Sequence, residues 1–455
     1  MKSYLTICAL LVLTAGIACA SEIKPAEDLP TLVNTALSSN PELKSSQARW
    51  RMYVGKARQA GSLDDPMFMF KLQNMLAREP FVFNKDPQSA KVIGITQQVP
   101  FWGKRAIREE IAGYEAESYR WQAEERRLEL KRMVTETYYQ LYAVDKALEI
   151  IEKNLHIIGD FITIAESRYS VGQGVQQDIF KAGLERTKML DMQITLQQQR
   201  TSLAANLNYL LYRPSNTVVG TVADFELPII SRSVQQLNDL AYDTRPQVKS
   251  LITLANKGTA SHRLARKEFY PDFNLSFEYM FREASMNDPG YNMFSLGVTF
   301  NLPFQQERRR AMLAESSSET DMAVEELNGL KNSIGYTIND TLAQMERRRK
   351  LVELYKTGII PQAEQSLESA VISYRVGKID FLTLLDGRVN LFNYEKELYE
   401  SKAEYMMQLS RLEAAVGIDL VQAPAAQVTS PPVALPGHKP APSPATPAAE
   451  HSHNH

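Results

Sequence analysis

Cysteine is nearly absent from this chain of 455 residues: there are two, Cys8 and Cys19, and both fall in the first twenty positions. Beyond Ala20 no disulfide and no thiolate metal site can form. Long apolar runs are missing too. After the first twenty residues nothing approaches the roughly 18 consecutive apolar residues of a membrane helix. Neither sign of charge prevails, since 51 Lys+Arg face 53 Asp+Glu. A near-neutral chain has no electrostatic footprint for nucleic acid. The basic runs Arg308-Arg309-Arg310 and Arg347-Arg348-Arg349-Lys350 adjoin glutamates within predicted helices and read as solvated faces. There is no phosphate-binding glycine loop, nucleophile elbow or paired-histidine metalloprotease motif, so neither an enzyme nor a cofactor is expected.

The first residues address the chain. Lys2 precedes an apolar run, Leu5 to Leu13, and small residues ending Ala18-Cys19-Ala20. A basic start, a short hydrophobic stretch and an Ala-x-Ala site make residues 1–20 a secretory signal peptide, with Ser21 the first mature residue. The alternative is a lipid on Cys19, although the position three residues earlier is Gly16 rather than the usual Leu.

What the sequence does contain is a duplication. Asn40-Pro41-Glu42-Leu43-Lys44-Ser45 aligns with Arg245-Pro246-Gln247-Val248-Lys249-Ser250, and Gly94 to Phe101 aligns with Gly297 to Phe304. Tyr169-Ser170-Val171-Gly172 returns as Tyr374-Arg375-Val376-Gly377. Three blocks in the same order at offsets of 203 to 205 define two copies of one unit rather than a solenoid. The boundaries predicted are a first repeat over 21–212, a linker over 213–233 containing Pro214 and Pro228, a second repeat over 234–418 and a tail over 419–455. Each repeat is expected to run as a helical segment (Leu29 to Ala60; Val234 to Lys267), two strands, a very long helix, the Val-Gly break and a second long helix.

From Phe273 to Arg282 every odd position is large and apolar, and from Phe294 to Leu302 every even one is. Period-two alternation of that length predicts strands with one apolar and one polar face, long enough to cross a bilayer at a tilt. Weaker versions lie at Met67 to Met75 and Val92 to Phe101. A soluble hairpin packed on helices is the competing reading. Four strands cannot close a barrel, and lipid does not tolerate an open sheet edge, so a membrane role requires several chains to pool their strands.

The helices point to a rod. Leu130, Val134, Thr137, Leu141, Val144, Leu148, Ile151, Leu155, Ile158, Ile162, Ala165 and Tyr169 step alternately by four and three, a coiled-coil seam with Thr137 its polar exception. A looser seam runs Leu327, Leu330, Ile334, Ile338, Met345, Val352, Tyr355, Ile359, Ala363, Leu367, Ala370 and Tyr374. The glycines Gly172 and Gly377 permit the left-handed turn that ends a helix, and Asp380 is placed to cap the next. The two breaks are therefore the tips of helical hairpins.

On the duplication, the Ala36-Leu37-Ser38-Ser39-Asn40-Pro41 block, both Tyr-x-Val-Gly breaks and the strand-to-helix junctions, the chain from Leu29 to Ile418 resembles the TolC family of outer-membrane efflux proteins. Gln97 to Arg105 is similar to its heavy-metal branch, the copper/silver and cobalt-zinc-cadmium systems. The resemblance implies a mainly α chain in a homotrimeric α/β barrel duct. Twelve pooled strands would meet outer-membrane lipid, and antiparallel coiled-coil hairpins would line a periplasmic tunnel. The partners implied are a periplasmic adaptor, docking at Val171, Gly172, Val376 and Gly377, and an inner-membrane resistance-nodulation-division pump. By the family pattern acidic residues ring the periplasmic aperture. Asp386 matches one such position, Thr383 stands where the other is expected, and Asp178 occupies the corresponding site of the first half. Three like charges in a ring attract cations and repel one another, which favours opening when a partner binds. Trp102 suits either an aromatic belt or core packing.

Ala423 to Glu450 is rich in Pro and Ala and is expected to be disordered. It leads to His451, His453 and His455, alternate imidazoles able to chelate a divalent transition metal, or simply a polar end. Three rivals remain: the same duct carrying drugs or secreted protein, an exported coiled-coil scaffold with no pore and, last for want of clustered ligands, a metal-binding enzyme.

Overall fold

The structure, a computed structural model, describes residues 28–421. The signal peptide and His451, His453 and His455 lie outside the described residues. The compact unit ends at Ile418.

Each leading helical segment is two helices rather than the one expected: α1 (Leu29–Ser39) and α2 (Pro41–Ala60), then α5 (Val234–Thr244) and α6 (Pro246–Lys267). The divisions fall at Asn40 (ψ 123°) and Arg245 (ψ 124°). Each precedes a proline, whose ring disfavours the helical conformation for the residue before it. Asn40 makes the break useful. Its Oδ1 accepts from the amides of Glu42 and Leu43 at 2.9 and 3.2 Å, and its Nδ2 donates to the Leu210 carbonyl at 3.1 Å.

The hairpins are α3 (Lys104–Ser170) with α4 (Gln176–Leu210), and α7 (Gln306–Leu354) and α8 (Ile360–Arg375) with α9 (Phe381–Val416). A π-helical turn, Tyr355–Ile359, joins α7 to α8. The 67 residues of α3 extend ~100 Å at ~1.5 Å per residue. Its seam is core from Leu130 to Ala165, with Leu130, Val134, Leu141, Val144, Ile151, Ile158 and Ala165 all buried. Thr137 is buried without penalty because its hydroxyl donates to the Met133 carbonyl and accepts from Asn206, at 2.9 and 3.1 Å. The seam's last expected member fails: Tyr169 is 48% exposed. Its α-helix ends one residue later and α4 begins only at Gln176, so no helix lies over the ring; Tyr374 and Phe381 of the second hairpin fill that core instead.

The four strands are β1 (Met67–Gln73), β2 (Ala90–Val99), β3 (Phe273–Arg282) and β4 (Met293–Phe300), in the antiparallel order β1-β2-β3-β4. The register lines up apolar rows: Phe68, Ile95, Phe277 and Leu296 in one, Phe70, Ile93, Tyr279 and Phe294 in the next. The alternate rows on the opposite face are mostly small or polar, as at Thr96, Ser276 and Gly297, with Met67, Met69, Val92, Met280 and Met293 among them. The apolar rows are exposed, Phe68 at 73% and Leu296 at 76%. Ten residues of β3 extend ~33 Å, which at a ~40° tilt matches the ~25 Å apolar band of a membrane barrel. Among the described residues the outer edges of β1 and β4 have no partner strand.

Sheet and helices meet at Lys104, which has no exposed surface. Its Nζ contacts Glu268 Oε2 at 3.1 Å, Asp272 Oδ1 at 3.0 Å and the Tyr270 carbonyl at 3.1 Å. Asp272 also accepts from the amide of Phe101 at 2.8 Å, and its own amide and carbonyl bond Asn301 at 2.6 and 3.3 Å. One buried ammonium thus ties the start of α3 to the turn that enters β3, and Asp272 carries the tie on to the exit of β4. Trp102 is 75% exposed, edge-on to Phe273 at 5.7 Å, so it is not core. Phe101 beside it stacks on Tyr270 at 4.6 Å.

Candidate functional site

The two tips are built alike. Gly172 and Gly377 both have φ of 71°, a conformation that glycine adopts without a Cβ penalty. Each closes the helix with a pair of amide-to-carbonyl bonds: Gly172 to Tyr169 at 3.0 Å with Gln173 to Arg168 at 2.8 Å, and Gly377 to Tyr374 at 3.0 Å with Lys378 to Ser373 at 2.9 Å. This is the six-to-one and five-to-two pattern that satisfies terminal carbonyls. Val171 and Val376 follow their helices outward, 65% and 64% exposed. Each tip presents an apolar knob on a hydrogen-bonded turn.

Asp380 caps α9 as expected, accepting from the Thr383 amide at 3.2 Å. The Thr383 hydroxyl bonds the same Asp380 oxygen, and the two bonds hold the Asp380 carboxyl below its ordinary range. Thr383 is therefore committed to the cap. Asp386 lies one turn on, exposed on the same side, while Phe381, Leu384 and Leu385 pack inward. Among the described residues no ion pair engages Asp386.

Asp178, in the first turn of α4, is half-buried beside Tyr374. Burial and then the charge of Asp178 push the Tyr374 phenol above its usual range. Tyr374 is 3% exposed, against 48% for Tyr169 at the equivalent place. Arg168 completes the group. Its guanidinium donates to the Tyr374 carbonyl and, at 2.9 Å, to the Gln173 carbonyl, and it lies 4.6 Å from the Tyr374 ring centre. A further link sits higher, where buried Arg388 of α9 donates to Asn154 of α3 at 2.5 Å and approaches Glu395 at 3.4 Å.

Sequence reasoning brought Asp178 to the tip but missed Arg168, Arg388 and Asn154. The signal for Arg168 was the unequal repeat: 205 residues on, its place is taken by Ser373. Nothing local marked Arg388, whose partner Asn154 is 234 residues away.

The chain is 23% identical over 300 residues to the cobalt-zinc-cadmium resistance protein CzcC of Cupriavidus metallidurans, covering 64% of this chain and 67% of that one. The solved structure of the outer membrane protein VceC from Vibrio cholerae superposes with a TM-score of 0.73 at 20% identity, covering 86% of this chain and 97% of that one. CusC, solved in a study of folding and transmembrane channel formation, superposes with a TM-score of 0.72 at 15% identity, covering 86% and 92%. The family model described as "Outer membrane efflux protein" matches residues 32–211 and 237–418, both repeats, and the chain belongs to that family, a channel protein of the outer membrane with its helices on the periplasmic side.

Proposed function

We propose that three copies of this chain form the outer-membrane duct of a tripartite efflux system, and that its cargo is heavy-metal cations. The observation that carries the duct is the sheet: among the described residues, four strands, two unpaired edges and exposed apolar rows on one face. Lipid offers no hydrogen bonds to a free edge, so β4 of one copy must pair with β1 of the next. Three copies supply twelve strands, within the range of closed membrane barrels. A poreless scaffold has no use for such a face, and membership of a channel family sets that reading aside.

The hairpins then line a water-filled tunnel with no chemistry of its own, powered by an inner-membrane resistance-nodulation-division pump. A periplasmic adaptor docks on the knobs formed by Val171 with Gly172 and Val376 with Gly377. Asp386 supplies three carboxylates to the aperture, and Asp178, beside Tyr374, holds the mouth closed. Thr383 serves the cap of α9, so it adds no charge to the ring. The metal assignment rests on CzcC, the relative whose name states resistance to cobalt, zinc and cadmium. His451, His453 and His455 are proposed as ligands that gather the emerging ion.

The test is deletion of the gene, followed by growth on copper, silver, zinc, cobalt, cadmium and a panel of dyes. Lost metal tolerance is expected. Lost dye tolerance with metal tolerance intact would assign the duct to organic cargo instead.

A further inference from the structure

The two hairpins share a plan but not a mechanical character. We propose that the π turn Tyr355–Ile359 is the hinge on which the distal arm of the second hairpin, α8 with the start of α9, swings to open the duct; this rests on the duct reading above.

Three observations place the hinge. The backbone comes first: the amide of Ile360 bonds the carbonyl of Tyr355, five residues back, where an α-helix would reach four. Pro361 follows at once and has no amide to return to the preceding turn, so bending there breaks fewer bonds than elsewhere along the rod. The seam comes second. In α3 the steps of four and three alternate without fault from Leu130 to Tyr169. In the second hairpin Tyr355, Ile359, Ala363 and Leu367 follow by three steps of four, one residue more than a heptad allows. The π turn absorbs that residue and lets the seam resume at Leu367, Ala370 and Tyr374. Packing comes third. Over its last turns α3 buries Ile158, Phe161 and Ala165, whereas α8 buries Tyr374 alone, at its far end.

Above the turn the second hairpin is tied internally: Arg348 bonds Glu397 and Ser401, each at 3.3 Å, and Gln344 accepts from Gln408 at 2.7 Å. Tyr355 and Tyr394, with ring centres 6.2 Å apart, mark the level on α9 where that tie ends. Below it the arm is held to the first hairpin by Arg388 on Asn154, by Arg168 on the Tyr374 carbonyl, and by the small core of Phe161, Ala165, Phe381 and Leu384. Such an arm, loosely packed and latched at its tip, has its bend already built in.

The test removes the extra residue. Purified protein carrying Arg168→Ala, which frees the tip latch, is recorded in planar bilayers with and without deletion of Thr357, an exposed residue of the turn. The deletion brings Ala363, Leu367, Ala370 and Tyr374 into heptad register with Val352 and Tyr355, and the open-state current is expected to fall at least tenfold. A second variant guards against misfolding: Gly358→Ala, whose added Cβ meets only Leu354 Cδ1 at 3.7 Å, stiffens the turn without a clash and is expected to reduce openings about twofold to fivefold. Currents unchanged in both variants overturn the hinge. Absence of any channel in the Arg168→Ala parent overturns instead the duct reading on which it stands.

Discussion

Arg168 of the first hairpin and Tyr374 of the second are joined twice, by a bond from the guanidinium to the tyrosine carbonyl and by its position 4.6 Å from the ring centre. The bond caps the C-terminal end of α8, where the helix dipole favours a positive charge. The ring contact adds cation–π attraction. Both disappear if the tips separate, so in the proposed duct both would favour a closed mouth. Arg168→Ala is expected to shift the closed-to-open balance by about 1–2 kcal/mol, roughly tenfold. Single-channel recording should show more frequent opening, and cells should admit large hydrophilic dyes. Arg168→Lys keeps the charge but loses the planar fork, and should fall between.

Lys104 makes a prediction about assembly rather than gating. Its ammonium is fully buried against the carboxylates of Glu268 and Asp272. Removing one partner of a buried ionic group is costlier than never having built it, because the other charges stay behind without compensation. Lys104→Met keeps the length of the stem and should cost about 3 kcal/mol. The same substitution combined with Glu268→Gln should recover part of that loss. Thermal resistance of the detergent-purified oligomer, followed by gel mobility and circular dichroism, reads both. If Lys104→Met proved as heat-stable as the parent, the junction would not depend on this ion cluster.

The contrast between these two sites explains what could be read from the sequence. Strand β3 was legible to the residue because alternation from Phe273 to Arg282 is a local pattern imposed by one greasy face. The tips were legible because Gly172 and Gly377 do one conformational job twice. The divisions at Asn40 and Arg245 were hidden by continuous helical periodicity on both sides, although the prolines were in view. Lys104 with Glu268, Arg168 with Tyr374 and Arg388 with Asn154 were not legible at all. Each pair joins the two repeats across more than 160 residues, and a single chain's periodicity carries no record of which polar residues meet. The π turn was written in the seam as a surplus residue that the looser pattern concealed.

Between the repeats, Asp224 pins the linker. It accepts from the Tyr142 hydroxyl at 2.6 Å, from Lys402 and from the Phe225 amide at 2.9 Å. Burial alone would raise its pKa, but the Lys402 and Tyr142 bonds outweigh burial and bring it from 3.8 to about 2. The folded form thus binds its proton less readily than the unfolded one. The stabilisation is complete above the unfolded value of 3.8 and is lost as pH falls towards 2. Asp224→Asn should be less stable than the parent at neutral pH and should lose less on acidification. Melting temperatures between pH 7 and pH 2 measure the difference. Parallel curves for the two proteins would remove Asp224 from the acid response.

The sheet offers the sharpest test of orientation, because neighbouring residues of β3 point to opposite sides. Phe277 stands in the apolar row with Ile95 and Leu296, and Ser276 in the polar row with Thr96 and Gly297. If the apolar row meets lipid, Phe277→Lys places an ammonium near the middle of the bilayer, at a cost of about 2–4 kcal/mol in each copy. Ser276→Lys adds the same charge on the lumen side, where water solvates it, and should cost little beyond crowding at Gly297. The expected pattern is a steep loss of assembled outer-membrane oligomer for Phe277→Lys, with Ser276→Lys near parental abundance and altered in ion selectivity. Equal tolerance of both lysines would mean that neither face meets hydrocarbon. The reverse pattern would turn the barrel inside out.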